Sequence, residues 1–94
     1  MKKQEIDNLI KNLNKDWNVV ENSIKRDFLF KNFKYAFKFM NDVAVVAEEI
    51  NHHPTWTNTY NRLEVILTTH DTGGISKLDF ELAKRIDVIF EKLK

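Results

Sequence analysis

Residues 33–56 read FKYAFKFMNDVAVVAEEINHHPTW, and this stretch decides the fold of the chain. Apolar residues recur in it at intervals of three and four, which is the spacing of one face of an α-helix. They are Phe33, Ala36, Phe37, Met40, Val43, Ala44, Ala47 and Ile50. Asn32 is a suitable N-cap, whereas Pro54 cannot continue a helix and disfavours helical geometry at the residue before it. The stretch therefore predicts an amphipathic helix that ends near Asn51 and leaves two histidines at its exit.

The residues before this helix predict a shorter helix and a hairpin. Residues 3–14 carry isoleucine and leucine at helical spacing among charged and asparagine residues. Residues 17–21 and 24–31 are rich in β-branched and aromatic side chains, and the turn-forming pair Asn22-Ser23 lies between them. We expect two antiparallel strands there.

The residues after the long helix predict a second hairpin and a last helix. Residues 55–60 and 63–68 favour strands, with a turn at Asn61-Arg62 between them. Ser76 three residues before Asp79 resembles a capping box. The helix that follows carries one apolar face, formed by Leu78, Leu82, Ile86, Ile89, Phe90 and Leu93. The order α-β-β-α-β-β-α predicts an α+β fold, with a four-stranded antiparallel sheet and three helices packed on one face.

Length and composition exclude several classes of protein. The chain has 94 residues, so we expect a single domain over residues 1–94. Its formal net charge of +1 argues against a nucleic-acid-binding protein. The longest uncharged apolar stretch, residues 43–47, is too short to span a membrane. No signal peptide is recognisable and cysteine is absent, so the cytoplasm is the expected location. The eleven aromatic residues indicate a homo-oligomeric interface.

Three histidines are the candidates for chemistry. His52 and His53 lie at the predicted helix exit, and His70 lies where a strand ends. Such boundaries present functional groups, although solvated surface histidines are equally consistent with these positions. Glu48 lies one helical turn before His52 and could hold its ring in one tautomer. Trp56 suits either a pocket wall or the core.

A metal site is the obvious rival interpretation. Glu48 and the three histidines could in principle bind zinc. However, adjacent histidines at a helix exit project in different directions, and no HExxH spacing is present. The chain also lacks the glycine-rich phosphate loops and the GxSxG nucleophile motif. We therefore expect neither a metal nor a cofactor.

The segment EEINHHPTW at residues 48–56 resembles the signature of the pterin-4a-carbinolamine dehydratase family. The segment NTYNRLEV at 58–65, its continuation LTTH at 67–70, and GIS at 74–76 with Asp79 are similar to that family as well. The resemblance extends from about residue 17 to the final helix. It implies an enzyme that expels water from a 4a-hydroxytetrahydropterin and so recycles the cofactor of aromatic amino-acid hydroxylases.

The resemblance also implies roles for individual residues. His52, His53 and His70 correspond to the active-site histidines of the family, and Glu48 and Asp79 correspond to its two helix acids. We expect His52 and His70 to transfer protons, with Glu48 acting on His52, and His53 to orient the pterin. The substrate slot would be formed by Trp56, Thr68, Thr69, Asp71 and Asp79.

The family likeness leaves two other properties open. Its members form dimers or tetramers, so a homodimer or homotetramer is expected, with a small-molecule pterin as the substrate. Some relatives act as dimerisation cofactors of a transcription factor. The alternative is therefore a pterin-binding or coactivator-type interaction module without turnover.

Overall fold

A computed structural model describes residues 1–94, the whole of the sequence. Its elements follow in the predicted order and confirm the α+β fold. They are α1 (Lys3–Lys11), β1 (Asn18–Val20), β2 (Ser23–Leu29), α2 (Phe33–Ile50), β3 (Thr55–Thr59), β4 (Arg62–Leu67) and α3 (Lys77–Leu93), with one 3-10 turn at His70–Thr72. None of the three helices combines the length and the apolar composition that spanning a membrane requires.

The four strands form one antiparallel sheet in the order β1-β2-β4-β3. Its two central strands alternate buried and more exposed residues, as a sheet with one covered face requires. Ile24 pairs with Leu67 and Phe28 pairs with Leu63, so these side chains share the face that the helices cover. The exit of β4 consequently lies beside the β1–β2 turn, which places residues 68–71 at that end of the sheet.

The core lies between this sheet face and the two long helices. Phe39 and Val43 of α2, together with Leu82 and Ile86 of α3, are fully buried. Burial of one such side chain contributes about 1.5–3 kcal/mol. The Phe39 ring also packs at 5.0 Å from the Phe28 ring, which ties α2 to β2.

The structure corrects the predicted apolar faces of both long helices. Phe33 and Phe37 are 46% and 51% exposed, and Ala44 is exposed too, although all three belong to the predicted apolar face of the helix. In their place Phe39 is buried. The reason is that the apolar arc of α2 is wider than the strip that the sheet and α3 can cover. In α3, likewise, Leu78 is 38% exposed, whereas its neighbours two residues and four residues later are buried.

Several predicted boundaries also shift. α1 ends at Lys11 rather than at residue 14. The hairpin turns fall at residues 21–22 and 60–61, one residue earlier than predicted. Each turn begins with a residue of positive φ, 54° at Glu21 and 51° at Tyr60. Glutamate and tyrosine are not typical of that conformation. The prediction therefore began each turn at the asparagine that follows, because asparagine is a typical turn residue.

One ion pair is buried between the sheet and α3. Arg26 is 5% exposed and donates to Asp87 Oδ1 at 2.6 Å. The Trp17 Nε1–H donates to the same carboxylate at 2.9 Å. Burial raises the pKa of Asp87, and it outweighs the opposing effects of the Trp17 hydrogen bond and the Arg26 charge.

Candidate active site

The exits of α2 and β4 meet around a cavity of about 260 Å³. All three histidines contribute to its lining, together with the residues that follow β4. The lining consists of Asn51, His52, His53, Thr68, Thr69, His70 and Asp71. The structure thus brings together His70 and the histidine pair, which lie 17 residues apart in the sequence (from 53 to 70).

A larger hollow of about 460 Å³ lies on the uncovered face of the sheet. It is lined by side chains such as Asp27, Arg62 and Glu64, and it contains no histidine. Lys25 already pairs with Glu64 at 3.0 Å on this face. The smaller cavity is the better candidate because it alone gathers groups that transfer protons near neutral pH.

The way in which α2 ends places the histidine pair. Asn51 adopts the left-handed conformation, with φ 51° and ψ 46°, and its N–H donates to the carbonyls of the last helical turn. The His52 N–H donates to the Ala47 carbonyl at 3.0 Å. These bonds cap the helix and reverse the chain, and Pro54 prevents a further turn. Asn51 itself lines the cavity. It was not among the predicted site residues, because its place there depends on a left-handed backbone conformation.

His52 is held by a buried carboxylate. Its Nε2 lies 2.5 Å from Asp79 Oδ1. His52 is 9% exposed and Asp79 is 0% exposed. Because a carboxylate only accepts hydrogen bonds, Nε2 must carry the proton. Nδ1 is then the ring nitrogen that has no partner within the protein.

Asp79 is fixed in turn by the start of α3. Its Oδ2 accepts from the Ser76 N–H and from the Thr69 hydroxyl, each at 2.9 Å. The Ser76–Asp79 capping box predicted from the sequence is therefore present. The same carboxylate that caps the helix orients a histidine, a second role that the motif alone does not reveal.

The second helix acid contacts a different histidine from the one expected. Glu48 Oε2 hydrogen-bonds His53 Nε2 rather than His52. The prediction placed Glu48 and His52 on one helical face, but α2 ends at Ile50 and the left-handed residue after it rotates the following side chains. Both members of the Glu48–His53 pair are well exposed, so the pair is a weaker constraint than the buried one.

His70 lies on a tightly closed loop. Thr69 and Gly74 exchange two backbone hydrogen bonds, of 3.0 and 3.1 Å, across its base. Gly73 has φ +74°, a conformation that favours glycine. The Thr68 hydroxyl donates to the Asn22 carbonyl at 2.6 Å and so anchors the loop to the β1–β2 turn. His70 is exposed and makes no side-chain hydrogen bond within the protein.

The residues expected to form the slot divide into four groups. Asp79 is fully buried against His52 and does not line the cavity, so it does not have the expected place in the slot. Asp71 lines the cavity and is exposed. Thr68 and Thr69 also line it, but their hydroxyl groups bond to the protein itself. Trp56 is half-buried opposite Val65, packs against the core and does not line the cavity, which agrees with the core interpretation. No three histidine or carboxylate side chains come together in an arrangement that could hold a metal ion.

The arrangement can carry out acid–base chemistry. One buried histidine has a defined tautomer and a free nitrogen, and a second, solvent-exposed histidine lines the same cavity. A neutral imidazole can accept a proton, and an imidazolium can donate one. Together they can move one proton out of a bound molecule and another one into it.

Comparison with known proteins agrees with this geometry. Residues 1–89 match the family described as pterin 4 alpha carbinolamine dehydratase. A protein of Synechococcus sp. (strain WH7803) that bears the name of this family is 51% identical over 73 residues, which cover 78% of each chain. The crystal structure of a transcriptional coactivator/pterin dehydratase from Brucella Melitensis has 37% identity and a TM-score of 0.91, over 95% of this chain and 96% of that one.

A more distant structure shares the fold. It is a pterin dehydratase-like protein identified as a RuBisCO assembly factor in the alpha-carboxysome. Its identity is 18% and its TM-score is 0.64, over 78% of this chain and 84% of that one. At this identity the likeness extends to architecture alone.

Proposed function

The chain belongs to the pterin 4 alpha carbinolamine dehydratase family, and from that premise we propose that it dehydrates a 4a-hydroxytetrahydropterin. The C4a–O bond breaks, the hydroxyl leaves as water, and the proton on the neighbouring ring nitrogen is removed as the C=N bond forms. The product is the quinonoid dihydropterin. By this reaction the protein would help to recycle the tetrahydropterin used by aromatic amino-acid hydroxylases.

The observation that carries the proposal is the convergence of His52, His53 and His70 on one cavity. The reaction needs a base for the ring nitrogen and an acid for the departing hydroxyl, and imidazole serves as either near neutral pH. A purely structural domain has no need for three histidines around one cavity.

Hydrogen bonding supports a division of labour between the histidines. The Nε2–H of His52 faces Asp79, so its free Nδ1 suits the base that takes the proton from the ring nitrogen. The buried Asp79 carboxylate then stabilises the imidazolium that forms. His70, exposed and unpaired, suits the acid that protonates the leaving hydroxyl and regains its proton from solvent. His53, paired with Glu48, would orient the pterin.

We also propose that the protein works as a homo-oligomer. Phe33 and Phe37 stack at 5.6 Å on the exposed side of α2, and Met40 and Ala44 continue their line at intervals of four, three and four residues. This spacing forms the apolar seam along which helices pair. A second copy of the chain would cover it.

The second candidate function is an interaction module without turnover. The exposed aromatic pair on α2 favours it, because such a surface also suits a protein partner. The description of the Brucella protein as a transcriptional coactivator/pterin dehydratase supports keeping this candidate.

A turnover assay separates the two functions. Freshly generated 4a-hydroxytetrahydropterin should lose water faster with the protein than without it. His52→Ala and His70→Ala should each lower kcat by about 10²- to 10⁴-fold, whereas His53→Ala should act mainly on KM. An unchanged decay rate with the wild-type protein would contradict the enzyme function. Normal rates in both His52→Ala and His70→Ala would contradict the assignment of the proton-transfer groups.

A further inference from the structure

The hydroxyl group of Thr69 is hydrogen-bonded to the carboxylate that holds His52. It lies 2.9 Å from Asp79 Oδ2 and 2.7 Å from the Ser76 hydroxyl oxygen. From these contacts we infer that Thr69 is a positioning residue for the active site, acting on His52 through Asp79. This inference rests on the proposed function and extends it to a residue that does not touch the reacting atoms.

Counting protons fixes the direction of each bond. The Thr69 hydroxyl has one proton, and the Asp79 carboxylate can only accept it. The Thr69 oxygen must then accept from the Ser76 hydroxyl, so the chain of donors runs from Ser76 through Thr69 to Asp79. The single proton of the Thr69 hydroxyl and one of its two acceptor lone pairs are thus used inside the protein. The hydroxyl therefore has no proton left to donate to the pterin, although Thr69 lines the cavity.

The remaining contacts of Asp79 show why this donor matters. Asp79 is 0% exposed, so no water can replace a lost partner without rearrangement. Oδ2 receives two donors, from Thr69 and Ser76, which set the rotation of the carboxylate. That rotation aims Oδ1 at His52 Nε2. Without the Thr69 donor, the Ser76 N–H is the one donor left at Oδ2, and the carboxylate is freer to turn away from the imidazole.

Thr69 also connects the two histidines that we assign to proton transfer. Its backbone N–H and carbonyl close the loop that carries His70, through their two bonds to Gly74. Its side chain supports the acid that orients His52. One residue therefore positions both groups by different means, the main chain for His70 and the hydroxyl for His52.

This separation allows a sharp test. Thr69→Val deletes the hydroxyl and keeps the β-branched shape and the backbone, so it should disturb His52 and leave His70 unchanged. Thr69→Ser keeps the hydroxyl and should behave as wild type. Thr57→Val is a matched control, because Thr57 is an exposed strand threonine without a side-chain hydrogen bond. Thr69→Ala provides the same loss of hydroxyl if the valine variant does not fold.

Two measurements apply to each variant. The first is kcat and KM for the dehydration, where we expect Thr69→Val to lower kcat by about 10-fold or more with KM within about twofold. The second is the ¹⁵N-edited spectrum of the imidazoles. In the wild type and in Thr69→Ser, His52 should show a slowly exchanging Nε2–H and an unprotonated Nδ1. In Thr69→Val that proton should broaden or vanish, while the His70 signals stay in place.

The outcomes discriminate between the explanations. A raised KM with unchanged kcat in Thr69→Val would make Thr69 a substrate-binding residue and overturn the inference. An unchanged His52 spectrum would overturn it as well, whatever happens to the rate. If the wild-type protein shows no turnover, the proposed function fails, yet the spectra still decide whether the Thr69 hydroxyl positions His52.

Discussion

Replacing Asp79 with asparagine tests the buried histidine–carboxylate pair directly. Asp79 accepts three hydrogen bonds, one at Oδ1 and two at Oδ2. An asparagine has one oxygen, and the two donors from Thr69 and Ser76 will claim it. The amide NH₂ then faces His52 Nε2, which must give up its proton and become the acceptor. The free Nδ1 changes from a proton acceptor into a donor, which is the wrong state for a base.

The expected decrease in kcat follows from the loss of the correct His52 tautomer. In a serine protease triad, the equivalent Asp→Asn change lowers kcat by about 10⁴-fold through the same change of tautomer. Loss of one general acid–base group typically costs about 10²- to 10⁴-fold. We therefore expect Asp79→Asn to lower kcat by about 10³-fold, or about 4 kcal/mol in activation free energy. KM should change little, because the cavity keeps its shape.

Asp79→Asn should also lower the free energy of unfolding. A hydrogen bond to a charged group contributes about 1.5–3 kcal/mol, and the amide retains part of the bonding to Thr69 and Ser76. We expect Asp79→Asn to lose about 1–3 kcal/mol of unfolding free energy, out of about 5–15 for a typical domain. It should therefore remain folded, with a lower thermal midpoint.

The assay is steady-state dehydration of freshly generated 4a-hydroxytetrahydropterin, with thermal unfolding of the same preparations. Asp42→Asn is the matched control, since Asp42 bonds only to Lys38 on the surface of α2. The control should keep the wild-type kcat. A folded Asp79→Asn that retained more than about a third of the wild-type kcat would refute the role of the buried pair.

Two further predictions concern assembly and pH. Phe37→Glu should reduce the proposed homo-oligomer to a smaller species in light scattering, whereas Lys34→Glu on the same helix should not. An unchanged mass in Phe37→Glu would contradict the proposed α2 interface. Burial raises the pKa of Asp87 from its ordinary value of 3.8, so the folded state holds that proton more tightly than the unfolded chain. The contribution of Asp87 to stability should therefore fall as the pH rises from about 3.8 through the raised native pKa. Across this pH range, denaturant unfolding should show that the free energy of unfolding of the wild type, relative to that of Asp87→Asn, declines as the pH rises. A relative stability that rises with pH would contradict the raised pKa of Asp87.

Local patterns explain which parts of the fold were predictable. The long helix ends where Asn51 and Pro54 require it to end, and Ser76 and Asp79 start the last helix. These signals act within a few residues and therefore survive in the sequence. The hairpin turns were predicted one residue too late, because Glu21 and Tyr60 adopt positive φ although neither is a residue type that commonly does so.

The choice between exposed and buried apolar residues was less predictable. Phe33, Phe37 and Phe39 have the same chemistry, and helical spacing places the first two on an apolar face as readily as the third. Only the position of the sheet and of α3 selects Phe39 for the core. The sequence shows that α2 carries more apolar side chains than one face needs. It does not show which of them the sheet and α3 will cover.

The sequence by itself determined the order of the elements, the family and the three histidines at their boundaries. Each depends on short-range chemistry or on a contiguous motif. The partners of those histidines were decided only by the tertiary structure. His52 meets Asp79 and not Glu48, because one left-handed residue turns the chain at the end of α2 and the sheet brings the start of α3 alongside. A contact between residues 27 positions apart depends on how the elements pack, and no local spacing contains that information.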